Sequence, residues 1–144
     1  MPVISIKNLS EVIGGIVKEG DRYELASGFA IGQVALSIER QAKINASTGT
    51  HKRGQGHLAG TGPGPNVVTG DLRRSITTEI RIGFGSYIAT VGPTVEYARQ
   101  VELGGNSWKS GVKYPYLVPA LTELQSNGTL NRVFQSALRS KLGG

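Results

Sequence analysis

This sequence predicts an α+β fold: a long N-terminal amphipathic helix, a small antiparallel sheet built on a β-hairpin, a short helix and C-terminal helices, with a long Gly/Pro-rich loop. Three observations predict it. Apolar residues recur at helical spacing from about 22 to 44, they alternate with polar ones over 76–91, and no period survives between Asn45 and Thr69.

The first apolar positions, Leu9, Val12, Ile13, Ile16 and Val17, have helical spacing, but Gly14 and Gly15 each lower the propensity by roughly 1 kcal/mol, so a short, weak helix is expected there. Asp21 with Glu24 three residues on resembles a capping box and predicts the start of a second helix. In it Leu25, Phe29 and Leu36, with Ala30, Val34 and Ile38, line one broad apolar face. The glycines and prolines that follow predict a loop. Loops of this length are uncommon inside compact domains, so residues 45–68 are read as a flexible arm, mobile in the free chain and ordered only between neighbours.

Periodicity returns at Ser75. Ile76, Thr78, Ile80, Ile82 and Phe84 alternate with Thr77, Glu79, Arg81 and Gly83 as in a half-buried strand. Gly85-Ser86 offers a tight turn, and Tyr87, Ala89 and Val91 form the return strand up to Gly92-Pro93. Val95 to Leu103 has helical spacing, with Tyr97 and Val101 on one side and Gly104-Gly105 at its end. Tyr114-Pro115-Tyr116 is extended, because the residue before proline is pushed out of the helical region. Pro119 suits the first turn of the next helix. Asn127-Gly128 breaks that helix, and Leu130, Val133, Phe134, Ala137 and Leu138 make a final amphipathic one ending in basic Arg139 and Lys141. One domain, 1–144, is expected.

Composition narrows the function classes. The 144 residues include no cysteine, which removes disulfide frameworks and thiolate metal sites. Met1 to Lys7 carry no basic patch ahead of a long apolar run, and no stretch has the length and apolarity of a membrane span, so neither export nor a membrane partner is expected. Sixteen Lys and Arg against ten Asp and Glu give a formal charge of +6. The excess lies in 45–75 and 104–144, where it suits a negative surface or passing nucleic acid as well as plain solvation.

No catalytic, cofactor or metal site emerges. His51 and His57 flank Lys52-Arg53 without a third ligand, and the neighbouring cations oppose a bound metal. Gly54-Gln55-Gly56-His57-Leu58-Ala59-Gly60 is out of register for a dinucleotide fingerprint and follows no strand. Glu79, Glu96 and Glu102 form no acid pair at matching spacing, and neither Ser75 nor Ser86 sits in a nucleophile turn. The tyrosines and Trp108 are not interleaved with basic residues as a base-stacking platform would need.

Three segments in order carry a resemblance. They are Thr69-Gly70-Asp71-Leu72-Arg73-Arg74-Ser75-Ile76, then Val91-Gly92-Pro93 through Tyr97-Ala98 to Val101-Glu102-Leu103-Gly104, then Tyr114-Pro115-Tyr116-Leu117-Val118-Pro119-Ala120-Leu121. With the preceding long helix, they make the chain similar to the tail-component family of lambda-like long-tailed bacteriophages, whose members complete tails or join heads to tails. The segment with His51-Lys52-Arg53-Gly54 resembles members from phages of actinobacteria. Leu103 stands where the family usually has an aromatic residue, and Trp108 interrupts the following loop.

The resemblance implies a structural virion protein of the phage neck and upper tail. It would form a homo-oligomeric ring, commonly of six copies, between the head–tail connector and the tail tube or terminator protein. Genomic DNA would pass through the lumen without specific binding. Such a ring needs a heterologous interface, one surface meeting a different surface of the next copy. The expected seam residues are Arg73, Arg74, Tyr97, Arg99 and Glu102, with Lys52 and Arg53 of the arm; Glu96 and Glu102, beside Arg99, would meet Lys52, Arg53, Arg139 and Lys141 from the arm and terminal helix of a neighbour, and Tyr97 would anchor the short helix. The rival readings are a basic nucleic-acid-binding module and a small regulatory protein with a basic arm; duplex-DNA binding that weakens steeply with salt would separate the former from a ring.

Overall fold

The structure, a computed structural model, describes residues 9–47, 70–83, 86–104 and 113–143, with side chains from Lys18 onward. Its elements run α1 (Leu9–Asn45), α2 (Asp71–Ser75), β1 (Ile76–Gly83), β2 (Ser86–Pro93), α3 (Ala98–Leu103), α4 (Leu117–Ser126) and α5 (Thr129–Leu142). The α+β class is therefore as expected: a long helix, a two-stranded antiparallel sheet and C-terminal helices.

The N-terminal third differs from its sequence reading. A short helix, a break and a second helix were expected, and one unbroken helix of 37 residues runs through Asp21 instead. Asp21 caps nothing, because the chain on both sides of it is helical. Propensity is a weak prior, and tertiary packing of the later part overrides it.

The buried face of α1 differs too. Ala26, Ala30, Ala35 and Ala42 are at most 3% exposed, whereas Leu25 is 71% and Leu36 49% exposed. Small side chains let α4, α5 and both strands approach the helix closely. Two glycines serve the same end: at Gly28 an added Cβ would overlap the Tyr87 ring, and at Gly32 it would lie 3.2 Å from Ile80 Cδ1. The hairpin thus lies along α1 with Tyr87 seated on Gly28 and Ile80 on Gly32.

The hairpin pairs Ile76 with Pro93, Thr78 with Val91, Ile80 with Ala89 and Ile82 with Tyr87. Those residues face α1, and Thr77, Glu79 and Arg81 face away. Of the β1 residues on the helix side only Ile76 is buried, while Ile80 and Ile82 are exposed. The half-buried strand expected from alternation therefore holds only at its base. Among the described residues each strand has one unpaired outer edge.

One core cluster gathers Ala42, Ala46, Ile76, Val101, Tyr114, Tyr116 and Ala120, with Leu72, Val91 and Leu117 against it. It sits at the C-terminal end of α1. Ala46 belongs to it, so the first residues assigned to the arm are part of the fold; the rest of the arm, 48–68, lies outside the described residues. Asn45 Nδ2 ties the helix end to this core by donating to the Tyr116 carbonyl at 3.1 Å.

A half-buried carboxylate on α1 links the helix to the hairpin. Glu39 accepts from Lys43 Nζ and from the Thr78 hydroxyl, each at 2.6 Å, and these bonds hold its carboxyl below the ordinary value of 4.5. A lowered folded value means that the stability it contributes is complete above about pH 4.5 and is lost as pH falls through the lower folded value. Glu39→Gln is therefore expected to flatten the acid side of the stability profile, read as the urea midpoint against pH. An unchanged profile would show that the bonds do not differ between folded and unfolded chains.

Candidate functional site

The three segments that carry the family resemblance converge on the core. Leu72 and Ile76 come from the first, Val91 and Val101 from the second, and Tyr114, Tyr116, Leu117 and Ala120 from the third. Their common pattern is thus accounted for by packing at one place, before any partner is invoked.

Glu102 joins the last two segments. Its carboxylate accepts from the backbone N–H of Tyr116 (2.8 Å), Leu117 (3.0 Å) and Val118 (2.9 Å), the first turn of α4. The first N–H groups of a helix have no partner within it, and the helix dipole favours an anion there. Tyr116, at the cap position, supplies no side-chain bond of its own. Glu102 is 9% exposed, so the surface charge expected at a subunit seam is instead an internal cap supplied by the preceding helix. Burial, then the charge of Glu102 and the nearby Tyr97, push the Tyr116 phenol well above its usual range.

The other expected seam residues divide. Arg73 and Arg74 are exposed on α2, and Arg74 pairs with Asp71 one turn earlier. The cap position of that helix is Gly70, with φ of 80°, a conformation glycine adopts without strain. Arg99 is exposed on α3. Tyr97 is 44% exposed, so the anchor of α3 is Val101, which is buried, and not Tyr97. Lys52 and Arg53 lie outside the described residues. The fold thus holds Tyr97, Arg99 and Glu102 on or beside one short helix, with Glu102 facing inward.

Part of the apolar face expected on this helix lies at the surface, which the sequence pattern does not show. Leu25, Phe29, Gly32 and Leu36 follow one another at i, i+4, i+7 and i+11, a single stripe along α1, and Ile80 fills the gap over Gly32. Ile82 continues it towards the hairpin turn. Lys141 Nζ lies 4.4 Å from the Phe29 ring centroid and covers part of it. Beside the stripe, an open groove of about 550 Å³ runs between α1 and α5, with Phe29, Val133 and Ala137 as its apolar part and Arg132 and Ser140 among its polar lining. It contains no acid–base pair. Among the described residues no group of three His, Cys, Asp or Glu could hold a metal ion, and no helix is long and apolar enough to cross a membrane.

In comparisons with known proteins, no family model, no curated protein and no solved structure matches this chain.

Proposed function

We propose that the chain is a self-assembling structural subunit, forming the ring that joins a phage tail tube to its head connector as a tail-completion or terminator piece. The observation that carries the self-assembly is exposed apolar surface: Leu25 and Leu36 on α1, Ile80 and Ile82 on β1, Leu103 on α3, and Val118 and Leu121 on α4 are each at least 43% exposed. Large apolar side chains exposed along one face mark sites of association. The open edges of a two-stranded sheet add to that argument. The assignment to a virion rests on the three ordered segments and their likeness to the phage family, with six copies as the expected ring.

Electron microscopy of the purified protein, together with mass spectrometry of particles from the phage whose genome carries it, tests the reading. Rings with an open lumen and recovery of its peptides from the particles are expected. A chain that stays monomeric at high micromolar concentration, or is missing from the particles, would sink it. A second reading is favoured by Arg132 and Arg139, exposed and close together along α5: a basic module for nucleic acid. In that case a monomer would bind duplex DNA with an affinity that falls steeply in salt.

A further inference from the structure

Helix α5 has an outward face of one chemical kind. Arg132, Gln135, Ser136, Arg139 and Ser140 recur at i, i+3, i+4, i+7 and i+8, so they form one stripe, and all five are exposed. Together they line a shallow depression that shares Arg132, Ser136 and Ser140 with the groove between α5 and α1. No carboxylate lines either hollow, and α5 itself contains no acidic residue.

The ion pairs among the described residues lie on α1, α2 and β1, where Glu19, Glu39, Asp71 and Glu79 each meet a cation. On α5 the partners are neutral: Arg132 donates to the Thr129 hydroxyl at 3.1 Å, and Arg139 to the side-chain oxygen of Gln135 at 3.5 Å. The helix dipole accounts for Arg139 and Lys141, which stand in the last turn. It does not account for Arg132, which closes a first turn that holds no acid and where a cation is disfavoured.

Arginine, glutamine and serine are side chains that contact the phosphate oxygens of nucleic acid. Seven residues apart, the two arginines stand about 10 Å from one another along the helix axis, the rise of about three nucleotides in one strand of a duplex. The stripe carries no large apolar side chain to enter a lipid surface or to anchor in a protein pocket. The aromatic ring of the adjoining groove, Phe29, is partly covered by Lys141, which leaves no open stacking platform for a single strand.

Deepening the nucleic-acid reading above, on which it rests, and independently of whether copies form a ring, we propose that α5 binds duplex DNA through this stripe, contacting backbone phosphates without reading base sequence. Arg132 and Arg139 make the charged contacts. Gln135, Ser136 and Ser140 donate hydrogen bonds beside them.

Fluorescence anisotropy of a labelled duplex with the full chain tests this against two double variants. One is Arg132→Gln with Arg139→Gln; the other, Arg73→Gln with Arg81→Gln, makes the same change of charge at exposed positions on α2 and β1. Parent and control should bind alike, and should bind an unrelated duplex equally well. The α5 variant should bind more weakly at low salt, and its loss of affinity between about 50 and about 200 mM salt should be about tenfold smaller than the parent's, the share of two phosphate contacts. A parent that leaves the duplex unbound at low salt, or binds vesicles of anionic lipid in its place, overturns the nucleic-acid reading and the site with it. Binding that the α5 variant keeps, or that both double variants weaken equally, leaves nucleic-acid binding standing and overturns this face as its seat. A strong preference for one duplex over the other overturns recognition through the backbone alone.

Discussion

Replacing Glu102 by alanine is expected to lower the unfolding free energy by about 3 kcal/mol, the cost of leaving a buried helix start without its anion. Three N–H groups, those of Tyr116, Leu117 and Val118, lose one shared acceptor together. For a chain of this size that loss corresponds to a fall in Tm on the order of 10 °C. Glu102→Gln keeps a carbonyl oxygen in the same place and should recover part of it. The loss should be nearly the same at low and high salt, because a buried carboxylate bonded to backbone is little screened, whereas a surface ion pair would fade. A thermal melt in which Glu102→Ala matches the parent, or differs from it only at low salt, would mean the carboxylate does not hold α4.

Substituting Gly28 by leucine is expected to destabilise the domain by about 1–3 kcal/mol through overpacking, even though leucine is the better helix former. The side chain would occupy the place of the Tyr87 ring and push the hairpin from α1. Gly20→Leu is the control, since nothing lies within 4 Å of a Cβ built there and only the helical gain of up to about 1 kcal/mol remains. Adding Tyr87→Ala to Gly28→Leu should make the combined loss smaller than the two single losses added together, which a double-mutant cycle measures as coupling. Equal effects of leucine at positions 20 and 28, or strict additivity with Tyr87→Ala, would remove Gly28 as the seat of the hairpin.

Much of the fold was legible in the sequence, and the misses have two causes. Alternation from Ile76 to Val91 gave the hairpin, and Tyr114-Pro115-Tyr116 gave an extended approach to α4, because both signals are local. Leu25, Phe29 and Leu36 were seen as a face, but apolar size does not say which side of a helix its neighbours choose. They chose the side where Ala26, Ala30 and Ala35 permit close approach. Ile80 and Ile82 look inward by alternation alone, yet they stay 46% and 71% exposed, because alternation says which face a side chain takes and not whether that face is covered. For Glu102 the obstacle was of another kind. A glutamate on a short helix reads as solvated, and its role depends on a helix start 14 residues later in the chain. The signal lies in α4 itself, since Tyr116 brings no side-chain cap and some acceptor has to serve those N–H groups.

Helix α1 is 37 residues long, which at 1.5 Å per residue is about 55 Å, longer than a small domain is wide. From Lys18 to Leu25 every side chain is exposed, and the first tertiary hydrogen bond among the described side chains is that of Arg22, whose guanidinium donates to the Leu142 carbonyl at the end of α5. Those turns are helical by propagation from the packed part, since an isolated stretch containing Gly14, Gly15 and Gly20 would not nucleate well by itself. Their order is borrowed from residues further along. Amide protons there are expected to exchange faster than those beside the core, with protection falling off turn by turn away from it. Any contact that clamps the first turns gains a rigid lever whose far end is already fixed in the core beside Ile76 and Tyr116.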